Sequence, residues 1–515
     1  MILLLLGLFT FVWVILTPIL RYFYDAKDLR KYPNQNFLSG LTSLAYVWER
    51  RNNFRTRKLY HDHQQHPIIR LGPTVLSFGD VGAIQDIYGH GTLCLKDDVY
   101  RSIQGDSPQI LNVVDKEDHA RKRRMLSNAF AAKSLEHWEF KIADKVKKLV
   151  AQFDWRCTDP LDGHPVDAKD LTINFRFWSN LFTLDAIADI ALSERLGLLE
   201  SGSDLLTISQ GRHLKNFHFL ESLHCGSRAV SRFVGATDWF PILKAASRLF
   251  YAHFRAHGND FGEIVEKLAK RRIEKYRAGA KLNDFFACLI EDKAGNQRNL
   301  DRAEIEAETN ILLDAGSDTT AIALTHVLYH LIKNPATLAK LREEVSDSLS
   351  GESIAPFSKV KSLPYLRACL DESLRLTPPL PRGLERKTPP QGMEILGKPI
   401  AGGITVSVPT FLAHRDPTLF PEPERYSPER WLDASDTSKE MRAAFIPFSS
   451  GGRACIGRNI TIMEQQILVA TLVHRYDFAL PSDRWELDWE EAFNLWPCQM
   501  PIKIWRREVD LNSEA

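Results

Sequence analysis

The chain has 515 residues, with 66 Lys and Arg against 65 Asp and Glu and a formal net charge of +1. Apolar residues make up 44% and charged residues 25%, ordinary globular proportions that exclude a disordered chain, a collagen-like fibre and a coiled-coil rod. A balanced charge also argues against nucleic acid as a main partner, because phosphate binding draws on a basic excess. Met1 to Leu20 carries no charged side chain, while Arg21, Lys27, Arg30 and Lys31 follow it. About 20 helical residues span a bilayer core, and the positive-inside rule then keeps the downstream chain in the cytosol. The expectation is an uncleaved single-pass anchor over 1–24, a linker over 25–40 and a catalytic domain over 41–515. A cleaved secretory signal is the competing reading, but it lacks a basic start and a clear cleavage site.

Tyr32-Pro33-Asn34 marks a break. Ile68 to Phe78 reads as a short hairpin. From about 116 to 342 the pattern is mostly helical, as in Ile142, Val146, Leu149, Val150 and Phe153. The longest helical run, Ala303 to Lys333, is apolar on most sides and is expected to cross a domain interior. A helix beginning near Pro364 ends at Thr377-Pro378-Pro379. Beyond it Pro and Gly become dense, and Ile404 to Val408 reads as β. Length alone suggests about three domains, yet no linker divides 40–515. One large α-rich domain with a small β portion is therefore expected.

The Cys residues at 94, 157, 225, 288, 369, 455 and 498 are an odd, scattered set with no C-x-x-C pair. Neither a disulfide framework nor a zinc site is expected. One of them stands in a pattern. Phe448 to Gly457, FSSGGRACIG, matches F-x-x-G-x-R-x-C-x-G. Read alone, it is either a Gly-rich turn with an inert Cys or a thiolate ligand loop. The segment resembles the haem-ligating loop of the cytochrome P450 family of haem-thiolate monooxygenases, in texture most similar to microsomal enzymes of filamentous fungi. In that reading Cys455 is the axial ligand of haem iron. The helix after it, Asn459 to His474, favours the thiolate through its first N–H groups. Gly451, Gly452 and Gly457 permit close approach of a macrocycle, Arg453 pairs with a propionate, and Phe448 shields the sulfur.

Other segments extend the resemblance. Glu372-Ser373-Leu374-Arg375, with Arg430 in Tyr426-Ser427-Pro428-Glu429-Arg430-Trp431, matches the family's buried Glu–Arg–Arg network; His414-Arg415-Asp416-Pro417 and Phe420-Pro421 also fall where the family has similar residues. Ala315-Gly316-Ser317-Asp318-Thr319-Thr320 is similar to its oxygen-binding motif. There a helix bulge is expected to make room for dioxygen, with Asp318 relaying protons and Thr319 holding the oxygen and a water. The alternative is a simple helix kink. His119 and Arg123 resemble a propionate-binding helix in which Trp is commoner at the first position, and Arg386 is a further propionate candidate. Arg121, Lys122 and Arg124 are expected either to dock an acidic electron donor or to form a solvated basic face.

The resemblance implies haem b as cofactor and electrons from NADPH through a separate NADPH–cytochrome reductase, with cytochrome b5 as a second donor. It places the protein at the endoplasmic reticulum membrane and implies oxygen insertion into a lipophilic small molecule, in specialised metabolism ahead of detoxification or aromatic catabolism. Substrate contacts are expected at Asn310, Asp314, Leu380, Leu384 and Trp496. Asp314 stands where an apolar residue is common. It either binds a substrate hydroxyl or amine, or faces a water-filled channel. Two other readings are a haem-thiolate enzyme acting on a peroxide without a reductase and a non-catalytic haem protein. The acid–alcohol pair Asp318 and Thr319 argues against both.

Overall fold

The computed structural model describes residues 11–49, 53–131, 134, 136–210, 213–250, 252–281, 284–433 and 436–508. A helical stretch, Val12–Leu16 continuing into α1 (Thr17–Tyr24), opens it. Residues 1–10 of the expected anchor lie outside the described residues. Among those described, no helix is long and apolar enough to cross a membrane. The described part does present apolar side chains to solvent, with Leu20 58% and Phe23 63% exposed. The break at Pro33 then runs beside the hairpin, with the Arg70 N–H donating to the Pro33 carbonyl at 2.8 Å.

The hairpin forms as expected from β1 (Ile68–Gly72) and β2 (Val75–Phe78), Ile68 opposite Phe78. A sheet is completed by β3 (Leu95–Lys96), β4 (Arg386–Lys387) and β5 (Thr405–Ser407), in the order β1-β2-β5-β4-β3. β4 and β5 come from the Pro- and Gly-rich part of the chain. They set Arg386 directly opposite Lys96.

The helical body contains α2 (Lys116–Leu126), α3 (Glu139–Arg156), α4 (Phe175–Leu192), α5 (Phe219–Ser231), α6 (Ala252–Arg277), α7 (Arg302–Lys333), α8 (Pro364–Leu376) and α9 (Arg458–Arg475). Two short strands, β6 (Trp489–Glu491) and β7 (Leu495–Pro497), pair near the carboxyl end. The 32-residue α7 is the predicted long helix. Asp301 caps it by accepting the Glu304 N–H at 2.7 Å. Pro335, which cannot continue it, follows Asn334. It packs against α4, α6, α8, α9 and β7. That enclosure explains why Ala321 to Tyr329 are all buried and show no polar face.

One expectation fails here. α7 runs as unbroken α-helix through Gly316 to Thr320. Ser317 and Thr319 do donate back along the helix, to the Leu313 and Ala315 carbonyls at 2.7 and 2.9 Å, but the ladder does not open. Gly316 answers to packing: a Cβ there would lie 2.6 Å from Ile187 Cγ1 on α4. The missing side chain lets the two helices approach.

The buried network forms as read. Arg375 donates to both Glu372 oxygens at 2.9 Å, and neither side chain is exposed. Arg430 reaches Glu372 at 3.2 Å, and the Ser427 N–H and Trp431 indole N–H each donate to it at 2.9 Å. Arg375 Nη1 also donates to the carbonyls of His414 and Pro423, and Nη2 to that of Arg425. His414 Nδ1 meets the Arg375 carbonyl at 3.2 Å, and its Nε2 accepts from the Ile446 N–H at 2.9 Å. The network therefore grips the chain just before the cysteine loop.

Removing one partner of such a pair strands a buried charge, at about 3–5 kcal/mol. Arg375→Ala is expected to lose that much in urea unfolding, and Arg430→Ala, whose native side chain is 10% exposed, clearly less; equal losses contradict the ordering. Burial also holds three histidines neutral, with His63 pushed down to about 4 and His330 and His414 to about 3, from an ordinary 6.5. The unfolded chain protonates first, so their stabilisation is present above about pH 6.5 and is lost as pH falls toward about 3–4. Thermal midpoints should fall steadily from about pH 7 to about pH 5; a constant midpoint over that range contradicts the neutral assignment.

Candidate functional site

The cysteine loop is held by its own backbone. Gly451 has φ of 68°, and a Cβ there would fall on the Tyr88 carbonyl oxygen, so only glycine fits. The Cys455 N–H donates to the Phe448 carbonyl at 2.8 Å and closes the turn. Phe448 packs with Phe445 against Ala323, Leu374 and Ile462 of α7, α8 and α9. Gly457 lies beside the sulfur, its Cβ position 3.8 Å from Sγ, whereas Gly452 faces open space. Backbone N–H groups of Gly457 and Arg458 are directed at the thiol as the sequence suggested. Burial nevertheless outweighs them and pushes the thiol pKa up. Cys455 itself is exposed on the loop and open to a metal cation, which would favour the thiolate.

Above the loop five cationic or basic side chains converge. Burial and then Arg386 push Arg453 down to about 10, and burial with Arg453, Lys96, Arg123 and Arg386 pushes His119 down to about 3. Lys96 is driven well below its ordinary value by burial, Arg386 and Arg453. Arg123 donates to the Ala454 carbonyl at 2.7 Å, and Arg453 to the carbonyls of Val113 and Val114 at 2.6 and 3.0 Å. Arg386 lies over the Tyr88 ring at 5.1 Å. Such mutual repulsion is relieved by a ligand bearing carboxylates. With a thiol on the adjoining loop, this donor set fits haem, its propionates on the cations and its iron on Cys455.

The distal wall is α7. Thr320 Oγ1 and Thr461 Oγ1, 2.7 Å apart, pin it to the first turn of α9, so Thr319 and Cys455 sit on directly linked elements. Ala315 is exposed and Thr319 partly so in the middle of a helix packed against α4, α6, α8, α9 and β7. Asp318 is tightly held. Its Oδ1 accepts from Arg176 at 2.8 Å and His224 at 2.9 Å, and its Oδ2 from Asn494 at 2.7 Å and Trp496 at 2.6 Å. Burial alone would raise its pKa, but His224, Arg176 and Trp496 hold it well below the carboxylate range. Asp318 is thus an anion binding α4, α5 and β7 to α7, a different position from a carboxyl free to pick up protons. Asp314, one turn earlier, is raised to about 7 by burial and by Asp318.

Sequence reasoning missed Lys96, Arg176, His224 and Asn494. Lys96 lies on a two-residue strand whose position only the sheet defines. Trp496 is placed differently from expectation: its indole N–H is committed to Asp318, and only 4% of the residue is exposed. Leu380 and Leu384 are half-buried in the chain that follows α8. Lys122 does not lie on a docking face. It is fully buried and paired with Glu304 and, at 3.0 Å, with Glu308. The helical spacing His119, Lys122, Met125, all buried, carried that signal. Arg121 pairs with Asp118 and Glu304, which leaves Arg124 as the exposed remainder.

Residues 48–497 match the family model described as Cytochrome P450. The chain is 29% identical over 98% of its length, and 97% of the other, to the benzoate 4-monooxygenase bphA of Aspergillus niger. It is 30% identical to the cytochrome P450 monooxygenase efuB of Hormonema carpetanum, covering 84% of this chain and 83% of that one. The cytochrome P450 monooxygenase astJ of Aspergillus oryzae is 29% identical, with 90% and 89% covered. The fold matches the crystal structure of the cytochrome P450DA heme domain with a TM-score of 0.73 at 19% identity, covering 93% of this chain and 98% of that one. A cysteine loop beneath converging cations, on this fold and with these relatives, makes the chain a member of the cytochrome P450 family of haem monooxygenases.

Proposed function

We propose that this monooxygenase inserts one oxygen atom into a lipophilic small molecule in a fungal specialised pathway, at a membrane, with electrons from NADPH through a separate reductase. The observation that carries the reading is the pairing of Cys455 beneath a carboxylate-seeking cation cluster with a distal helix opening at Ala315 and Thr319. When bound, haem supplies reductive activation of dioxygen, so that RH, dioxygen, two electrons and two protons give ROH and water. The chain's own residues do the rest. Lys96, His119, Arg123, Arg386 and Arg453 seat the propionates. Phe448, packed on α7, α8 and α9, would shield the sulfur once the cofactor covers the loop. Thr319, its proton on the Ala315 carbonyl, offers its oxygen as an acceptor to a hydroxyl or water in the cavity. Asp318 orients His224, whose imidazole is 16% exposed.

The exposed apolar face of α1 supports membrane association at the endoplasmic reticulum with the catalytic body in the cytosol, where the reductase and cytochrome b5 are available. A second reading, hydroxylation of an aromatic acid, draws on the similarity to bphA.

Cys455→Ala should abolish the red-shifted Soret band of the reduced carbon monoxide complex; persistence of that band means the ligand is another residue. Thr319→Ala should raise peroxide released per NADPH consumed several-fold, and unchanged coupling removes Thr319 from the distal role. Removal of residues 1–24 should leave haem binding intact and weaken sedimentation with membranes.

A further inference from the structure

Asn310, Asp314 and Asp318 stand four residues apart along α7, so they share one side of the helix. Their surroundings differ. Asp318 has donors on both oxygens. The side chains of Asn310 and Asp314 have no hydrogen-bond or ion-pair partner among the described residues, although both lie on a helix packed against α4, α6, α8, α9 and β7. Asp314 is also partly accessible while burial dominates its titration. A group reachable by a small probe yet shielded from bulk water lines an internal cavity. Its neighbour Ala315, exposed at the same level, opens on that interior too.

A carboxyl shielded from bulk water without a protein partner is costly, and a donor in the cavity satisfies it. Arg176, the guanidinium on this side of α7, is taken by Asp318. Asp318 repels a second negative charge at Asp314. A substrate carboxylate brought to this wall would add a third.

We propose that Asp314, assisted by Asn310, is the specificity determinant of this cavity, receiving an O–H or N–H donor of an otherwise lipophilic substrate and rejecting carboxylates. The proposal rests on the monooxygenase reading and sharpens it. It separates this enzyme from a benzoate hydroxylase despite the 29% identity to one. The amide of Asn310 adds a donor and an acceptor one turn away, so the preferred group is one that can both give and take a hydrogen bond, a hydroxyl above all.

The test is equilibrium dialysis of the haem-loaded full chain against three matched probes: benzyl alcohol, toluene and benzoate. The wild type should bind benzoate most weakly. In Asp314→Leu the ratio of dissociation constants for benzyl alcohol over toluene should rise about ten-fold, the size of one hydrogen bond of roughly 1.4 kcal/mol. In the isosteric Asp314→Asn, benzoate should gain about ten-fold. Unchanged ratios in both variants, benzoate as the tightest wild-type ligand, or no binding of any probe to the wild type each overturn the proposal. The Soret band of the reduced carbon monoxide complex, recorded on the same wild-type sample, tests the monooxygenase reading separately, because dialysis reports binding without turnover.

Discussion

Everything near the cysteine loop depends on one carboxylate that has no access to water. Glu372 is fully buried and gathers Arg375, Arg430, Trp431 and the Ser427 amide around it. An ion in that position is tolerable only with complete hydrogen bonding, and the geometry supplies it. The consequence travels outward through Arg375 to three carbonyls and through His414 to Ile446. The Pro-rich chain from 414 to 427 forms neither helix nor strand that could fix it. The buried ion pair takes the place of a sheet or helix and sets the angle at which the loop leaves for Cys455.

The cation cluster works by the opposite logic. Glu372 is compensated inside the protein, whereas Lys96, Arg386 and Arg453 are set against one another. Their placement is a sheet effect: β3 and β4 bring Lys96 opposite Arg386 across some 290 residues of chain. The protein thus contains one electrostatic site that completes itself and one that needs a partner molecule. On the distal side the same division recurs on a single helix, with Asp318 saturated and Asp314 unpartnered.

Which parts were legible in the sequence follows from locality. The cysteine loop, the Glu372–Arg375 pair and the ends of α7 are short-range patterns, and the residues themselves announce them. The hairpin at 68–78 and the helix from Pro364 were equally readable from alternation and from Pro. Lys96, Arg176, His224 and Asn494 were not, because each reaches its site through tertiary packing. The Trp496 indole was read for its apolar body, while its N–H decides where it sits. The expected bulge at Gly316 rested on the chemistry of that motif alone; the packing of α4, invisible in a local reading, gives the glycine a different purpose. The basic run at 121–124 misled because charge was weighed above helical phase, which turns Lys122 inward.

The contact between Gly316 and Ile187 limits how this cavity can diversify. Any larger side chain at 316 collides with Ile187, so that position becomes variable only after atoms are lost from the facing helix. The two sites are bound to drift together, and a single substitution at either meets a steric barrier. Asn310 and Asp314 carry no such restraint, since no side chain among the described residues pairs with them. Paralogues built on this scaffold therefore have an uneven landscape: the distal wall at 316 is frozen by packing, and new substrate ranges arise most readily by exchange at 310 and 314, within about two turns of it.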